Sequence, residues 1–114
     1  MSMEDDCLFC RIIAGDVAAT VVHDDESVLA FADVNPKAPT HVLIVPKRHV
    51  ADMGELGADP ATAAAVVAGV ATVARELGLA SYRTVFNTGP GAGQTVFHVH
   101  AHLLAGRTLT WPPG

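Results

Sequence analysis

The sequence predicts a single α+β domain in which a five-stranded antiparallel sheet carries one long and one short helix. Three observations predict this fold class. The chain has 114 residues and is half hydrophobic, which suits one compact domain. Apolar runs of strand length are separated by hairpin-length links, which favours antiparallel pairing. A single longer segment has the apolar periodicity of a helix. We expect both helices on the same side of the sheet.

The first part of the chain has the pattern of a short helix followed by three strands. The helix is predicted over residues 7–14, CLFCRIIA. Residues 20–25 and 27–34 form a hairpin around a short acidic turn. A loop with two prolines, residues 35–40, leads to a strand over residues 41–46, HVLIVP, whose β-branched side chains favour extended structure.

The long helix is predicted over residues 60–77. Asp59 can cap its N-terminus, and Pro60 suits its first turn because the missing N–H has no partner there in any helix. Apolar residues recur at helical spacing and predict a buried stripe of Val66, Val70, Val73 and Leu77.

Two more strands complete the sheet, over residues 82–88 and 94–105, with the glycine-rich loop 89–93 between them. Residues 107–114 form a tail, because its two prolines cannot continue a strand. Residues 1–6 are expected to be disordered, and the whole chain, 1–114, to be one domain.

The charge balance argues against two classes of partner. The formal net charge is −5, and Lys47-Arg48 is the only basic cluster, which argues against nucleic acid or an anionic membrane as partner. No apolar run approaches the roughly 20 residues of a membrane span, and the acidic N-terminus does not have the pattern of a signal peptide. We therefore expect a cytoplasmic protein whose two cysteines form no structural disulfide.

Three histidines at alternate positions, in FHVHAH, are the most unusual feature of the chain. Because side chains of a strand alternate between its faces, His98, His100 and His102 should share one face. The apolar residues around them should share the other face and pack under the helix; these are Phe97, Val99, Ala101 and Leu103.

The histidine row has three interpretations. The imidazoles could be solvated or buried for structural reasons, but strict alternation disfavours this. All three could bind zinc, a geometry found in enzymes. Alternatively, one imidazole attacks a phosphate while its neighbours orient it or move protons, because an imidazole with a pKa near 6.5 is largely neutral and nucleophilic at neutral pH.

The pattern His98-Val99-His100-Ala101-His102-Leu103-Leu104 resembles the histidine triad (HIT) family of nucleotide hydrolases and transferases. The segments CLFCRIIAGDV, LAFADVNPKAPTHVLIVPKRHV, FNTGPGAGQTVFHVHAHLLAGR and the terminal WPPG are similar to the Hint branch, the histidine-triad nucleotide-binding proteins. The resemblance extends over residues 7 to 114 and implies the HIT-like fold.

The resemblance implies a reaction and a role for four residues. His100 attacks the α-phosphorus of a purine nucleoside 5′-phosphoramidate, and water hydrolyses the nucleotidyl-imidazole to an AMP- or GMP-type monophosphate. His102 contacts the phosphate and protonates the leaving amine, and His41 relays protons. Asp33 binds the ribose hydroxyls. No cofactor is needed for this catalysis.

Further residues are expected to bind substrate. The loop ending at Gly93 offers backbone N–H groups to a phosphate. Asn87, Gln94 and Thr95 hydrogen-bond the phosphate or the leaving group. An apolar slot for the base is expected from Phe9, Ile12, Phe31, Val34 and Leu43.

Two cysteines and two histidines could hold structural zinc. Cys7, Cys10, His49 and His98 make a plausible tetrahedral ligand set, and some Hint-like proteins use these positions for zinc. In that case His98 is a ligand rather than a catalytic group. Two inert thiols or a redox-active pair remain as alternatives, although the redox motif usually opens a helix of a βαβ unit, a pattern that this sequence lacks.

The Hint resemblance also implies a homodimer in which the sheets join and the tail of one subunit reaches the other's site. Trp111 would then shape the leaving-group pocket. Three other functions remain open: a dinucleoside polyphosphate hydrolase of the same family, a nucleotide-binding regulatory protein with incidental catalysis, and a structural zinc module. The last leaves His41, Asp33 and Gln94 unexplained.

Overall fold

The computed structural model describes residues 6–114, so the predicted disorder of the N-terminus falls almost entirely outside the described residues. Three helices and five strands follow one another along the chain. They are α1 (Leu8–Ile13), β1 (Val21–Asp24), β2 (Val28–Ala32), β3 (Thr40–Pro46), α2 (Met53–Gly57), α3 (Pro60–Glu76), β4 (Arg83–Val85) and β5 (Ala101–Ala105), with a 3₁₀ turn at Pro90–Ala92 before β5.

The five strands form one antiparallel sheet in the order β1-β2-β3-β5-β4. The predicted fold class is confirmed, and so is the hairpin of β1 and β2. The central strands β3 and β5 pair so that Leu43 stands opposite His102, while β2 places Phe31 opposite Leu43. This register puts an apolar row beside a histidine on one face of the sheet.

Helix α3 covers the other face. Asp59 caps it by accepting a hydrogen bond from the Thr62 N–H, as predicted. Gly69 lies so close to the sheet that a Cβ there would be 2.9 Å from a methyl group of Val28, which fixes how near the helix packs. The core between them consists of Val28, Ala30, Val42, Ile44, Val66, Val70, Val73, Val99, Ala101 and Leu103, with smaller contributions around it.

The prediction that both helices lie on one side of the sheet is wrong. Phe9 of α1 packs with Phe31 and Leu43, whose side chains point away from α3. Successive residues of β2 and β3 therefore enter two different apolar clusters, one under each helix. The short helix is placed where its side chains can meet the histidine row.

Two details of the helices also differ from the prediction. Leu77 is 43% exposed because α3 ends before it, at Glu76. Helix α2 was not predicted. Asp52 caps it by accepting from the Glu55 N–H, and the Glu55 carboxylate accepts from the N–H of Ala51, the residue before the cap.

Residues 94–100 are not a strand, although a strand over 94–105 was predicted. Pairing begins at Ala101, and the Val99 N–H instead donates to the Val50 carbonyl at 2.7 Å, outside the ladder. Phe97 is 49% exposed and does not pack under α3, whereas Val99, Ala101 and Leu103 do. Within the described residues, no helix is long and apolar enough to span a membrane.

Candidate active site and metal cluster

A cavity of about 400 Å³ opens between α1, the end of β2 and the loop before β5. Most of the residues predicted for the substrate site line it. They are Phe9, Ile12, Phe31, Asp33, Val34, Leu43, Gly93, Thr95, His100 and His102. The sequence interpretation missed several small or apolar residues of its wall, including Ala18, Ala19 and Val96, since nothing in their local pattern distinguishes them from loop residues.

His100 is held by the main chain of His98. Its Nδ1 lies 2.8 Å from the His98 carbonyl oxygen, which can only accept, so Nδ1 carries the proton and Nε2 keeps its lone pair. The ring of Phe9 packs against it nearly perpendicularly, with centroids 5.0 Å apart. Burial lowers the pKa of His100, so the neutral imidazole predominates at neutral pH. His100 is therefore oriented and protonated as a nucleophile must be.

His102 and His41 are joined by a hydrogen bond of 2.9 Å between His102 Nδ1 and His41 Nε2. His41 is buried behind His102, and its other nitrogen, Nδ1, accepts a hydrogen bond from the Lys37 backbone N–H at 3.0 Å. Burial lowers the pKa of His41, and it lowers the pKa of His102 to about 4 with help from the neighbouring imidazoles. Both imidazoles are therefore neutral at pH 7.

Asp33 lies at the end of β2, where its carboxylate faces both the loop and the histidines. One oxygen accepts from the Asn35 N–H at 2.9 Å, and the other lies 3.3 Å from His41 Nε2. Because Asp33 also lines the cavity, its carboxylate is available to a bound molecule as well as to His41.

The side chain of Gln94 is committed to the main chain and is only 2% exposed. Its amide nitrogen donates to the carbonyls of Ala51 and Val96, and its oxygen accepts from the Gly89 N–H. These bonds close the glycine-rich loop and leave Gln94 little capacity for a phosphate. The structure thus gives Gln94 different partners from those that the sequence predicted.

Other predicted substrate residues stand at the rim or away from the cavity. Asn87 lies beside Gly93, with its amide nitrogen 3.6 Å from where a Cβ of that glycine would be. Val34 is 99% exposed at the mouth. Trp111 is 81% exposed and does not line the cavity of its own chain.

Cys7, Cys10, His49 and His98 come together, with their four ligand atoms within 4.8 Å of one another. His98 Nδ1 lies 3.4 Å from both sulfur atoms, and His49 Nδ1 lies 3.3 Å from the Cys10 sulfur. Tetrahedral zinc with ordinary bond lengths would separate its sulfur and nitrogen ligands by about 3.6 Å. The spacing of this group is close to that of a zinc site.

The polarity of His98 also fits a metal ligand. Its Nε2 lies 2.7 Å from the Pro46 carbonyl oxygen and therefore donates to it, which leaves the Nδ1 lone pair facing the two sulfurs. The Cys7 sulfur accepts a hydrogen bond from the Cys10 N–H at 3.3 Å, which orients it within the cluster. These four residues could hold Zn²⁺ as a closed structural site, and their chemistry matches that metal.

The comparisons with known proteins agree with this geometry. The HIT domain family matches residues 14–109. The crystal structure of a HIT family hydrolase from Legionella pneumophila Philadelphia 1 superposes with a TM-score of 0.90 at 47% identity, covering 95% of this chain and 99% of that one. A 14 kDa zinc-binding protein of Zea mays is 44% identical over 121 residues, covering 94% of this chain and 87% of the relative.

A histidine triad nucleotide-binding protein from Candida albicans is also similar, with a TM-score of 0.81 at 29% identity, covering 93% of this chain and 82% of that chain. With the fold, the histidine row and these matches in agreement, the chain belongs to the HIT domain family.

Proposed function

We propose that this protein is a nucleotide-binding hydrolase that cleaves the P–N bond of purine nucleoside 5′-phosphoramidates. The observation that carries the proposal is His100: it lines the cavity, its Nδ1–H is fixed on the His98 carbonyl, and its Nε2 lone pair is free. The Legionella pneumophila relative, which is named a hydrolase, and the Candida albicans relative, which is named nucleotide-binding, support the two halves of this assignment.

The cavity suits a nucleoside monophosphate unit. Phe9, Phe31 and Leu43 offer an apolar slot for the base, and the Asp33 carboxylate at its edge can accept hydrogen bonds from two ribose hydroxyls. Gly93, with its positive φ, brings the backbone of the loop close to the phosphate position. Among the lining residues there is no lysine or arginine, so oriented N–H groups must stabilise the phosphate charge.

The reaction proceeds in two displacements. The Nε2 lone pair of His100 forms a bond to the α-phosphorus, while the P–N bond to the amine breaks and the amine leaves with that electron pair. The departing nitrogen needs one proton, which the sequence interpretation assigns to His102. Water then attacks the phosphorus, the bond to His100 breaks, and the nucleoside monophosphate is released.

A fluorogenic adenosine phosphoramidate tests the proposal, with wild type and His100→Ala side by side. We expect turnover by wild type and a loss of at least about 10⁴-fold in His100→Ala, because removal of a nucleophile leaves only binding and electrostatic contributions. Residual activity of the variant near that of wild type would refute the nucleophile. Faster turnover of a diadenosine polyphosphate than of the phosphoramidate would assign the protein to the other hydrolase class.

We also propose that Cys7, Cys10, His49 and His98 hold a structural Zn²⁺. The zinc-binding relative from Zea mays and the distances above support it. Protein purified without chelator should contain one zinc per chain by elemental analysis, and Cys7→Ser should contain far less. A stoichiometry near zero in wild type that added Zn²⁺ does not raise would contradict this proposal.

A homodimer through the β4 edge is the third part of the proposal. Within the part of the chain that the structure describes, β4 pairs on one side only, with β5, and beside it Tyr82 and Val67 expose apolar surface. Arg83 donates to the carbonyls of Leu109 and Thr110, so the tail that carries Trp111 is fixed near the same edge. Light scattering at micromolar concentration should give twice the chain mass, and a monomer mass would contradict the dimer.

A further inference from the structure

His98 connects the cysteine–histidine cluster to the proposed nucleophile. Its Nδ1 lies 3.4 Å from the sulfur atoms of both Cys7 and Cys10. Its backbone carbonyl oxygen lies 2.8 Å from Nδ1 of His100 and orients that ring. Because residues 98–100 precede β5, they lie outside the hydrogen-bonded ladder of the sheet. The contacts of the His98 ring with the cluster therefore help to keep its carbonyl in place.

Phe9 makes a second connection, since it lies between the two cysteines in the sequence CLFC. Its ring contacts the rings of His98 and His100 at centroid distances of 6.0 and 5.0 Å. The same residue lines the substrate cavity. A movement of the two cysteines therefore reaches His100 both through the His98 carbonyl and through the Phe9 ring.

The backbone allows a disulfide between Cys7 and Cys10, the chain's two cysteines, which the structure holds in the reduced form. Cys7 caps α1, and Cys10 lies in its first turn. Helix geometry places the Cα atoms of residues three apart at about 5 Å, within the range of about 4.4–6.8 Å that disulfides require. The sulfur atoms already lie within 4.8 Å of each other, so rotation of the two side chains can bring them to bonding distance.

A second cavity, of about 320 Å³, gives access to the cluster. Cys7 and His49 belong to its lining, and Cys10 is half-buried. Reactive cysteines lie in partly exposed surroundings, whereas buried structural thiols are inert. A small oxidant such as hydrogen peroxide can therefore reach the sulfur atoms.

We propose that Cys7 and Cys10 are a reversible oxidation site, at which peroxide converts the two thiols into a disulfide and thereby slows catalysis by His100. The inference concerns regulation of the proposed active site and rests on the proposed function. One thiolate attacks a peroxide oxygen, the O–O bond breaks, and the departing hydroxide takes up a proton to form water. The second thiolate attacks the resulting sulfenic sulfur and displaces a second hydroxide, which also becomes water. The two sulfurs lose two electrons in all, and one peroxide is reduced to two waters.

The disulfide changes what holds the His98 ring. The sulfur atoms turn toward each other and away from His98 Nδ1, while the bond from Nε2 to the Pro46 carbonyl remains. The two imidazoles alone cannot retain Zn²⁺ tightly, so a bound ion is released. The carbonyl that orients His100 is then less firmly placed. Because a misplacement of about 1 Å can cost about 10²-fold in rate, we expect kcat to fall by about 10- to 10²-fold.

Peroxide treatment at pH 7 tests the oxidation site without any activity measurement. Zinc-loaded and zinc-free protein are each treated with hydrogen peroxide, alkylated with N-ethylmaleimide and analysed by mass spectrometry. We expect both forms to lose two hydrogens and to take up no alkyl group, and the loaded form to release its Zn²⁺ to a chromogenic chelator. Two alkylated thiols after peroxide in both forms, or sulfinic acid in place of the disulfide, would overturn the proposal. A wild type that never binds zinc would refute the zinc site alone, because the zinc-free sample still decides the disulfide.

Reversal by a thiol reductant tests the link to His100. Dithiothreitol with Zn²⁺ should restore the kcat of the oxidised wild type, because it reduces a disulfide and does not reduce methionine sulfoxide, the other product that peroxide forms. Turnover by the matched control Cys7→Ser/Cys10→Ser, whatever its level, should not respond to peroxide. A disulfide that leaves kcat within about twofold of the reduced protein, or a loss that dithiothreitol does not reverse, would overturn the regulation.

Nitrogen NMR of the His100 ring supplies a readout that needs no substrate. In ¹⁵N-labelled protein the His100 signals should shift when the disulfide forms and return when it is reduced. Unchanged signals in the oxidised protein would overturn the link between the cluster and His100. Absence of phosphoramidate turnover by wild type would refute the proposed function alone, because the mass and the NMR spectrum would still decide the oxidation site and its effect on the ring.

Discussion

Within residues 6–114, two groups of side chains have the spacing of a metal site, and one of the two has the right polarity. Cys7, Cys10, His49 and His98 form the first group, and Asp33, His41 and His102 form the second; the ligand atoms within each group lie within 4.8 Å of one another. In the first group, the backbone carbonyl of Pro46 accepts a hydrogen bond from His98 Nε2–H. The lone pair of His98 Nδ1 therefore faces the two sulfurs.

In the second group, a backbone N–H does the opposite. The Lys37 N–H donates to the lone pair of His41 Nδ1, so neutral His41 carries its proton on Nε2. That proton points into the space where a metal would bind. Besides their residue types, the two groups differ in which main-chain atom lies behind one imidazole. Residues of the right type that lie close together are therefore insufficient evidence for a metal site. The hydrogen bond at the far nitrogen of the imidazole determines whether the near nitrogen can bind a metal.

We expect the largest difference between the two groups in their affinity for metal, which a titration measures. Co²⁺ or Zn²⁺ should bind one equivalent per chain with thiolate absorption, since structural zinc sites are worth roughly 10–16 kcal/mol in zinc-finger peptides. Cys7→Ser/Cys10→Ser should lose this binding, and Asp33→Asn/His41→Gln should keep it. One tight equivalent that remains in the cysteine variant and disappears in the other would reverse the comparison.

Phe9 stands between the first group and His100, and its removal should affect both. Its ring contacts His98 and His100 at centroid distances of 6.0 and 5.0 Å and also packs on Phe31. Phe9→Ala should lower the free energy of unfolding by about 3–5 kcal/mol, because it leaves a cavity in a packed cluster. Urea denaturation measures this, and Leu8→Ala, at an exposed neighbour on α1, is the control with an expected loss below about 1 kcal/mol.

Gly106 supports the second group alone. It has a φ of +95°, and a Cβ there would be 2.8 Å from the Cβ of Pro39, in the loop that leads to His41. Gly106→Ala should cost about 1–3 kcal/mol of unfolding free energy through strain and overpacking. Gly57→Ala, where a Cβ meets no atom within 4 Å, should be neutral or slightly stabilising. Equal stability of both variants would show that this loop adapts.

The pH dependence of stability should have opposite signs at two histidines. His23 bonds Asp25 at 2.8 Å and Glu76 at 3.1 Å, and the Asp25 bond is the main cause of its raised pKa. Its stabilisation is full below the unfolded pKa of about 6.5 and is lost as pH rises through the folded pKa. Burial gives His102 a folded pKa of about 4, so its contribution is present above about pH 6.5 and is lost as pH falls toward 4.

Urea denaturation at several pH values measures these two slopes. His23→Gln should flatten the decline in stability above pH 6.5, and His102→Gln should flatten the decline below it. Two variants with the wild-type pH dependence would show that neither imidazole changes its proton affinity on folding.

The sequence predicted the residue types of the site better than its backbone. The alternation of side chains correctly predicted that Val99, Ala101 and Leu103 lie under α3. It also correctly predicted that His100 and His102 face the opposite way, toward the cavity. Side chains alternate in any extended backbone, even where it makes no hydrogen bonds to a neighbouring strand. It failed for the strand itself, since the Val99 N–H bonds to the distant Val50 carbonyl and the His98 carbonyl bonds to the His100 side chain, so neither joins a ladder.

The polarity of the imidazoles could not be predicted from the sequence. It depends on the Pro46 carbonyl, a group that every residue has, and on the Lys37 N–H, a group that every residue except proline has, so no side-chain pattern reveals either. Gln94 shows the same limit: its residue type suits a phosphate contact, and only the fold shows that three backbone groups use its amide.

Main-chain control of the second group has a consequence for how the protein can change over time. Any residue except proline at position 37 supplies the same backbone N–H, and any residue at position 98 supplies the backbone carbonyl that orients His100. Substitutions at the surface of the 35–40 loop can therefore accumulate without altering proton placement. Insertions or deletions there would shift the backbone atoms themselves, so loop length rather than loop composition is the property under constraint.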